Sequence, residues 1–154
     1  MENKKEMVVS AIENGTVIDH IPTNVVYRVI KILGLENYND EVLIGNNLHS
    51  EKLGHKGIVK IKNKFFERND INKISLVAPT ATLIVIKNYE VVEKFTAEVP
   101  DTIEGILKCM NPKCITNAET ITTKFKVLDK ENLKMQCHYC EKFNTKDTLN
   151  FLEK

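Results

Sequence analysis

Apolar positions along the first hundred residues recur with two different periods, and each change of period marks an element. Residues 7–12 and 17–21 read as strands broken near Asn14-Gly15. Residues 24–33 place Val25, Val26, Val29, Ile30 and Leu33 on one helical face, with Pro22 early and Gly34 just past the end. Two strands follow over 42–45 and 57–62, the second alternating Ile58, Lys60 and Lys62 against Val59 and Ile61. A short helix is predicted over 71–77, opened by Asn69-Asp70 and closed by Ala78-Pro79. Residues 82–86 form a buried strand run and 89–95 a further one. The order strand, helix, strand, strand, helix, strand predicts an α+β, ferredoxin-like βαββαβ domain, a mixed sheet with helices on one face.

The last third of the chain has a different character. All four cysteines of the 154 residues fall there, at Cys109, Cys114, Cys137 and Cys140. Val99-Pro100-Asp101 is the expected boundary, because Pro100 interrupts a ladder and turn chemistry follows it. Residues 1–100 therefore form one domain and 101–154 a second, small all-β, zinc-binding one. Cys109-x4-Cys114 and Cys137-x2-Cys140 are two knuckles, each a tight turn that aims two sulfurs at one point, and a tetrahedral zinc ion accepts four thiolates without redox demands. One structural Zn2+ per chain is expected, with no open position for a hydrolytic water. Free thiols, or a redox role for Cys137-His138-Tyr139-Cys140, leave the second cysteine pair unexplained. His138 is read as a surface residue of its knuckle.

Composition narrows the functional classes. With 22 Lys and Arg against 21 Asp and Glu the net charge is +1, and 6% aromatic residues without Trp supply few stacking platforms. An electrostatic nucleic-acid binder is disfavoured on both grounds. Four thiolates on a divalent ion also turn the second domain from +1 to about −1. A zinc-ribbon nucleic-acid-binding protein stays the alternative reading, with salt-sensitive binding to DNA or RNA as its signature. A charged amino terminus and the lack of any long apolar run point to a cytoplasmic chain with no membrane partner. In that reducing setting, cysteines serve metals or redox chemistry rather than disulfides.

The first domain holds no Gly-rich phosphate loop and no convincing nucleophile or paired-carboxylate constellation. Asp19-His20 suggests an acid/base dyad for a stand-alone enzyme. Strand neighbours point to opposite faces, however, so the two are not expected to pair directly. Lys56, Lys60, Lys62 and Lys64 are either a solvated strand face or point charges for a phosphate.

Four runs carry a resemblance: Asn14-Gly15-Thr16-Val17-Ile18-Asp19-His20-Ile21-Pro22; Asn88-Tyr89-Glu90-Val91-Val92-Glu93-Lys94; Cys109-x-Asn111-Pro112-Lys113-Cys114-Ile115-Thr116; and Cys137-His138-Tyr139-Cys140-Glu141-Lys142. Together they resemble the regulatory chain of aspartate carbamoyltransferase over nearly the whole length. The resemblance implies a non-catalytic subunit in pyrimidine biosynthesis. Its first domain would bind ATP or CTP as allosteric effectors and pair with a second regulatory chain, while its zinc domain docks on the catalytic chain. Two catalytic trimers bridged by three regulatory dimers, a dodecamer, would be the assembly. By the same resemblance Val9, Ala11, Ile12, Val17, Ile86, Tyr89 and Val91 would surround base and sugar. Asp19 and Lys60 would reach the ribose or base region, and His20 and Lys94 the phosphates, with Lys56 extending that site. Asn111, Lys113, Glu119, Tyr139 and Lys142 would meet the catalytic chain. Ser10, Ile84 and His55 depart from the family pattern, the first two at the nucleotide pocket and the third in a more strongly basic neighbourhood.

Overall fold

The computed structural model describes residues 11–152, which fall into two compact units divided between Ala97 and Glu98. The first unit contains strands β1 (Gly15–Ile21), β2 (Val42–Ser50), β3 (Gly54–Lys62), β4 (Thr82–Lys87) and β5 (Glu90–Thr96), with helices α1 (Val26–Ile32) and α2 (Arg68–Val77). Its sheet runs β2-β3-β1-β4-β5. That is the ferredoxin-like order with one extra hairpin strand at the edge. All its pairings among the described residues are antiparallel, which corrects the expected mixed sheet. The physical reason is that the split βαβ connection inserts β3 between β2 and β1, so the two parallel strands never touch.

Alternation along the strands decides which face is buried. Ile18 registers with Val59 on one side and Leu83 on the other, and Leu83 with Phe95. Ile18, Val59 and Leu83 are buried and share the core with Val26 and Val29 of α1 and Ile74 of α2. Burying such a branched side chain contributes about 1.5–3 kcal/mol, so this row is the main support of the unit. The neighbouring row, Lys60, Val17, Ile84 and Lys94, lies on the opposite face.

The helices depart from expectation at their starts. A 3-10 turn over Thr23–Val25, with Val25 N–H donating to Pro22 O at 3.0 Å, precedes α1, so regular helix begins two residues later than predicted. Gly34, at φ 67°, closes it in the left-handed conformation that glycine adopts at no steric cost. Helix α2 begins at Arg68, three residues early, and Asn69 and Asp70 lie inside its first turn instead of capping it. There the Asp70 carboxylate complements the helix dipole.

Both β2 and β3 reach further than predicted, meeting at a turn where Ser50 Oγ accepts the Leu53 N–H at 3.1 Å. A bulge between Gly45 and Leu48, with Asn47 at φ 58°, breaks the alternation that the sequence pattern relies on. Of the strand predicted over 7–12, only Ala11 and Ile12 lie within the described residues, and neither belongs to a strand.

The second unit is a four-stranded antiparallel sheet, β6-β7-β8-β9, from β6 (Thr102–Glu104), β7 (Lys124–Asp129), β8 (Lys134–Cys137) and β9 (Phe143–Thr145). A four-residue helix, α3 (Ile115–Ala118), and a 3-10 turn over Lys146–Thr148 depart from the expected all-β character. Ile103, Ile106, Leu107, Phe125 and Met135 are fully buried, a small core for an independent unit. No helix among the described residues is long and apolar enough to cross a membrane.

Candidate metal centre and ligand-binding face

The four cysteines converge. Cys109 and Cys114 flank the loop before α3, Cys137 ends β8, and Cys140 sits in the turn leading to β9. Their sulfurs all lie within 4.8 Å of one another. Cys109 Sγ is 3.6 Å from Cys140 Sγ, and Cys114 Sγ is 3.7 Å from Cys137 Sγ. A disulfide closes at about 2.05 Å. A tetrahedral ion with metal–sulfur bonds of about 2.3 Å instead spaces its sulfurs roughly 3.8 Å apart. The donor set therefore fits a structural metal ion and not a cystine.

Backbone geometry builds each knuckle. Cys114 N–H donates to Asn111 O, Glu141 N–H to Cys137 O, and Cys137 N–H to Lys142 O, all at 3.0 Å. Glu141 takes the left-handed turn position at φ 63°. Asn117 Nδ2 holds Asn111 O at 2.7 Å and Cys109 O at 3.0 Å. From β9, buried Asn144 points its Nδ2 at Cys109 Sγ, 3.9 Å away, while its Oδ1 accepts the Met110 N–H at 2.9 Å. Neither asparagine was marked by the cysteine spacing.

The thiols do not titrate alike. Burial pushes Cys109 up to about 12, reinforced by the Cys140 and Cys137 thiols, and burial also raises Cys137. For Cys140 burial again works upward, but hydrogen bonds from the Lys142 N–H, the Asn111 side chain and the neighbouring thiols hold it at about 7. A buried thiol near 12 does not ionise alone near neutrality. A cation at the centre supplies the charge that four adjacent thiolates require. His138 is exposed, packs edge-on against Tyr139 at 4.9 Å between centroids, and lies outside the sulfur cluster.

The first unit brings most of the other candidates together on the sheet face that α1 and α2 leave bare. Lys60 registers with Val17, Val17 with Ile84, and Ile84 with Lys94, in one row across four strands. In the next row Gly15 meets Ile86, and Ile86 meets Val91. Strict alternation would put Val91 and Lys94 on opposite faces, since they are three residues apart. A bulge between Val85 and Ile86 in the β4–β5 pairing restores both to one face. Ile12 is buried over Gly15, Ala11 is exposed, and Tyr89 is exposed at the turn with φ 66°. Val9 and Ser10 lie outside the described residues.

Asp19 and His20 correct the simple strand argument. Pairing with β3 slips between Ile18 and Ile21, and His20 sits at φ 56°, so alternation does not govern this dipeptide. The Asp19 carboxylate accepts the His20 backbone N–H at 2.6 Å and the Lys56 ammonium at 2.8 Å. His20 Nδ1 instead faces Thr82 Oγ1 at 3.2 Å, a partner that sequence did not suggest. Burial lowers the His20 pKa; Asp19 raises it, and Lys56, Lys52 and Lys94 lower it further. Burial likewise lowers Lys60, against the pull of Asp19. The result is a cationic end of the face around His20, Lys56 and Lys94, adjoining an apolar strip of Val17, Ile84 and Ile86.

Lys113, Glu119, Tyr139 and Lys142 are exposed on the knuckle loops, beside exposed Met110 and Ile115. Asn111 differs, because its Oδ1 accepts the Lys113 N–H at 3.1 Å and serves the loop itself. A groove of about 560 Å³ on the second unit's sheet, lined by Lys124, Lys126, Gln136 and His138 among others, contains none of the nucleotide-site candidates.

Comparison with known proteins agrees with this geometry. Residues 7–98 match the family model for the aspartate carbamoyltransferase regulatory chain, allosteric domain, and residues 101–150 that for its metal binding domain. An aspartate carbamoyltransferase regulatory chain of Parabacteroides distasonis is 52% identical over 149 residues, 96% of this chain and 97% of its own. Proteins of the same name from Pyrococcus horikoshii (58% over 139 residues, 89% and 91%) and Bacteroides fragilis (50% over 151 residues, 98% and 99%) are similar to it as well. A two-unit chain with a metal-ready cysteine module thus belongs to the aspartate carbamoyltransferase regulatory chain family, the non-catalytic subunit of that enzyme.

Proposed function

We propose that the bare face of the first unit binds ATP and CTP, and that the cysteine module holds Zn2+ and docks on the catalytic chain. The observation that carries the nucleotide reading is that Lys94 lies on the sheet face of Val17, Ile84 and Ile86, while His20 reaches Thr82 and feels the charges of Lys94 and of Lys56, which Asp19 holds. Lysine and histidine meet phosphate oxygens as point charges, and the apolar strip takes the base. Asp19, tied to Lys56, and Lys60 stand between them, within reach of a ribose hydroxyl. Ala11, Ile12, Tyr89 and Val91 close the end of the face.

Zinc suits the module because four thiolates at tetrahedral spacing match its preferred ligands, and a saturated ion has no catalytic opening. Lys113, Glu119, Tyr139 and Lys142 then meet the catalytic chain, with Asn111 shaping the loop that presents them. In the full assembly regulatory chains pair, and three such dimers bridge two catalytic trimers in the cytoplasm. Carbamoyl transfer to aspartate takes place on the partner.

An effector alters distant catalysis only through different affinity for two quaternary states, a coupling of about 1–3 kcal/mol. ATP and CTP share a triphosphate, so the cations supply common affinity and base size supplies the difference. A purine and a pyrimidine set different separations between Ile12 and Tyr89. Titration of Lys94→Ala tests the assignment. Affinity for both nucleotides falls together, whereas unchanged affinity for both rejects the phosphate role of Lys94.

A further inference from the structure

His55 stands apart from the nucleotide face, and its setting suggests a different chemistry. It registers directly opposite His49 across the β2–β3 hairpin. Directly opposed residues share a face, with Cβ atoms about 4.5–5.5 Å apart. Both histidines are exposed. The backbone on either side of the pair is fixed. One residue further out, Ser50 pairs with Gly54, and Ser50 Oγ closes the turn on the Leu53 N–H at 3.1 Å. One residue further in, Leu48 pairs with Lys56, whose ammonium is held by Asp19 at 2.8 Å. Lys56 points to the face opposite the two imidazoles, so the pair does not belong to the nucleotide site.

We propose that His49 and His55 form a surface site for one divalent transition-metal ion of the imidazole-preferring class, Ni2+, Cu2+ or Zn2+. Two neutral imidazoles on a rigid hairpin need only rotate their side chains to bring one nitrogen each to about 2.0–2.1 Å from a shared ion. Water completes the shell, because both rings lie at the surface. Ligation requires neutral rings, so protons compete with the ion for both imidazoles. The hairpin so clamped also carries Lys52 and Lys56.

The test uses the full chain with its cysteine cluster loaded, titrated calorimetrically with Ni2+ alone at pH 8. One further equivalent binds to the unaltered chain. His49→Gln and His55→Gln each weaken it about tenfold or more, since loss of a direct ligand costs at least what loss of an outer partner does. At pH 5.5 the heat disappears. Retention of the site in the His49→Gln/His55→Gln double variant, or the absence of a further equivalent in the unaltered chain, overturns the proposal. Unchanged circular dichroism and cluster metal content in the variants establish that folding is not the cause.

Discussion

His20 shows how much one residue can depend on its surroundings. Burial and three lysines keep its free-state pKa below 6.5, so near neutrality the ring is mostly uncharged. A triphosphate placed against it favours the imidazolium and raises that pKa. On the proposed phosphate contact, nucleotide binding is therefore expected to take up a proton. The extra affinity is complete below the free-state pKa and is lost as pH rises through the higher, liganded one. Calorimetry in buffers of different ionisation enthalpy reads this uptake directly, and His20→Gln abolishes it. Gly15 is constrained in another way. At φ 145°, with Ile61 O standing where a Cβ would have to fit, alanine forces the backbone of β1 away from β3. Gly15→Ala should cost more than the roughly 1–3 kcal/mol of a strained backbone position, measured as a fall in the denaturation midpoint. Asn14-Gly15 was legible in sequence only as a break between strands. Its role as a clasp, with Asn14 holding the Asn63 and Asn88 backbone N–H groups, depends on partners 49 and 74 residues away.

At the level of elements, periodicity revealed the cores and missed the irregularities. Val25 to Leu33 and Gly34 announced α1, because burial and a left-handed stop both leave marks on residue type. The bulges at Gly45–Leu48 and Val85–Ile86 left none, since an inserted residue keeps its polarity while changing its neighbours. The second bulge is what sets Val91 and Lys94 on one face. The cysteine knuckles were legible by spacing alone, because metal ligation demands residue types that nothing else requires together. Asn144 was not, because a single asparagine on a short strand carries no pattern. Asn144→Ala removes the acceptor for the Met110 N–H and the donor toward Cys109 Sγ. Metal affinity of the module is then expected to fall about 10–100-fold, read by competition with a chromophoric chelator. Undiminished affinity would reduce Asn144 to a loop support.

For the whole molecule, the two units differ in what holds them together. The first has a continuous core across five strands and two helices. The second has few fully buried side chains, so metal binding, on the order of 10 kcal/mol for structural zinc sites, supplies much of its folding free energy. Stripping the ion should melt residues 98–152 first and leave the first unit folded. Hydrogen exchange resolves the two, with protection lost on β6–β9 and kept on β1–β5. The exposed Met110, Ile115 and Tyr139 sit on the same loops as the sulfurs, so the proposed docking surface is expected to depend on the ion. The most direct measurement is size-exclusion chromatography of the regulatory and catalytic chains mixed after verified metal removal, repeated after zinc is restored. The complex is expected to be absent in the first run and present in the second, with nucleotide binding by the regulatory chain unchanged throughout. A full complex formed by the metal-free chain would contradict the account.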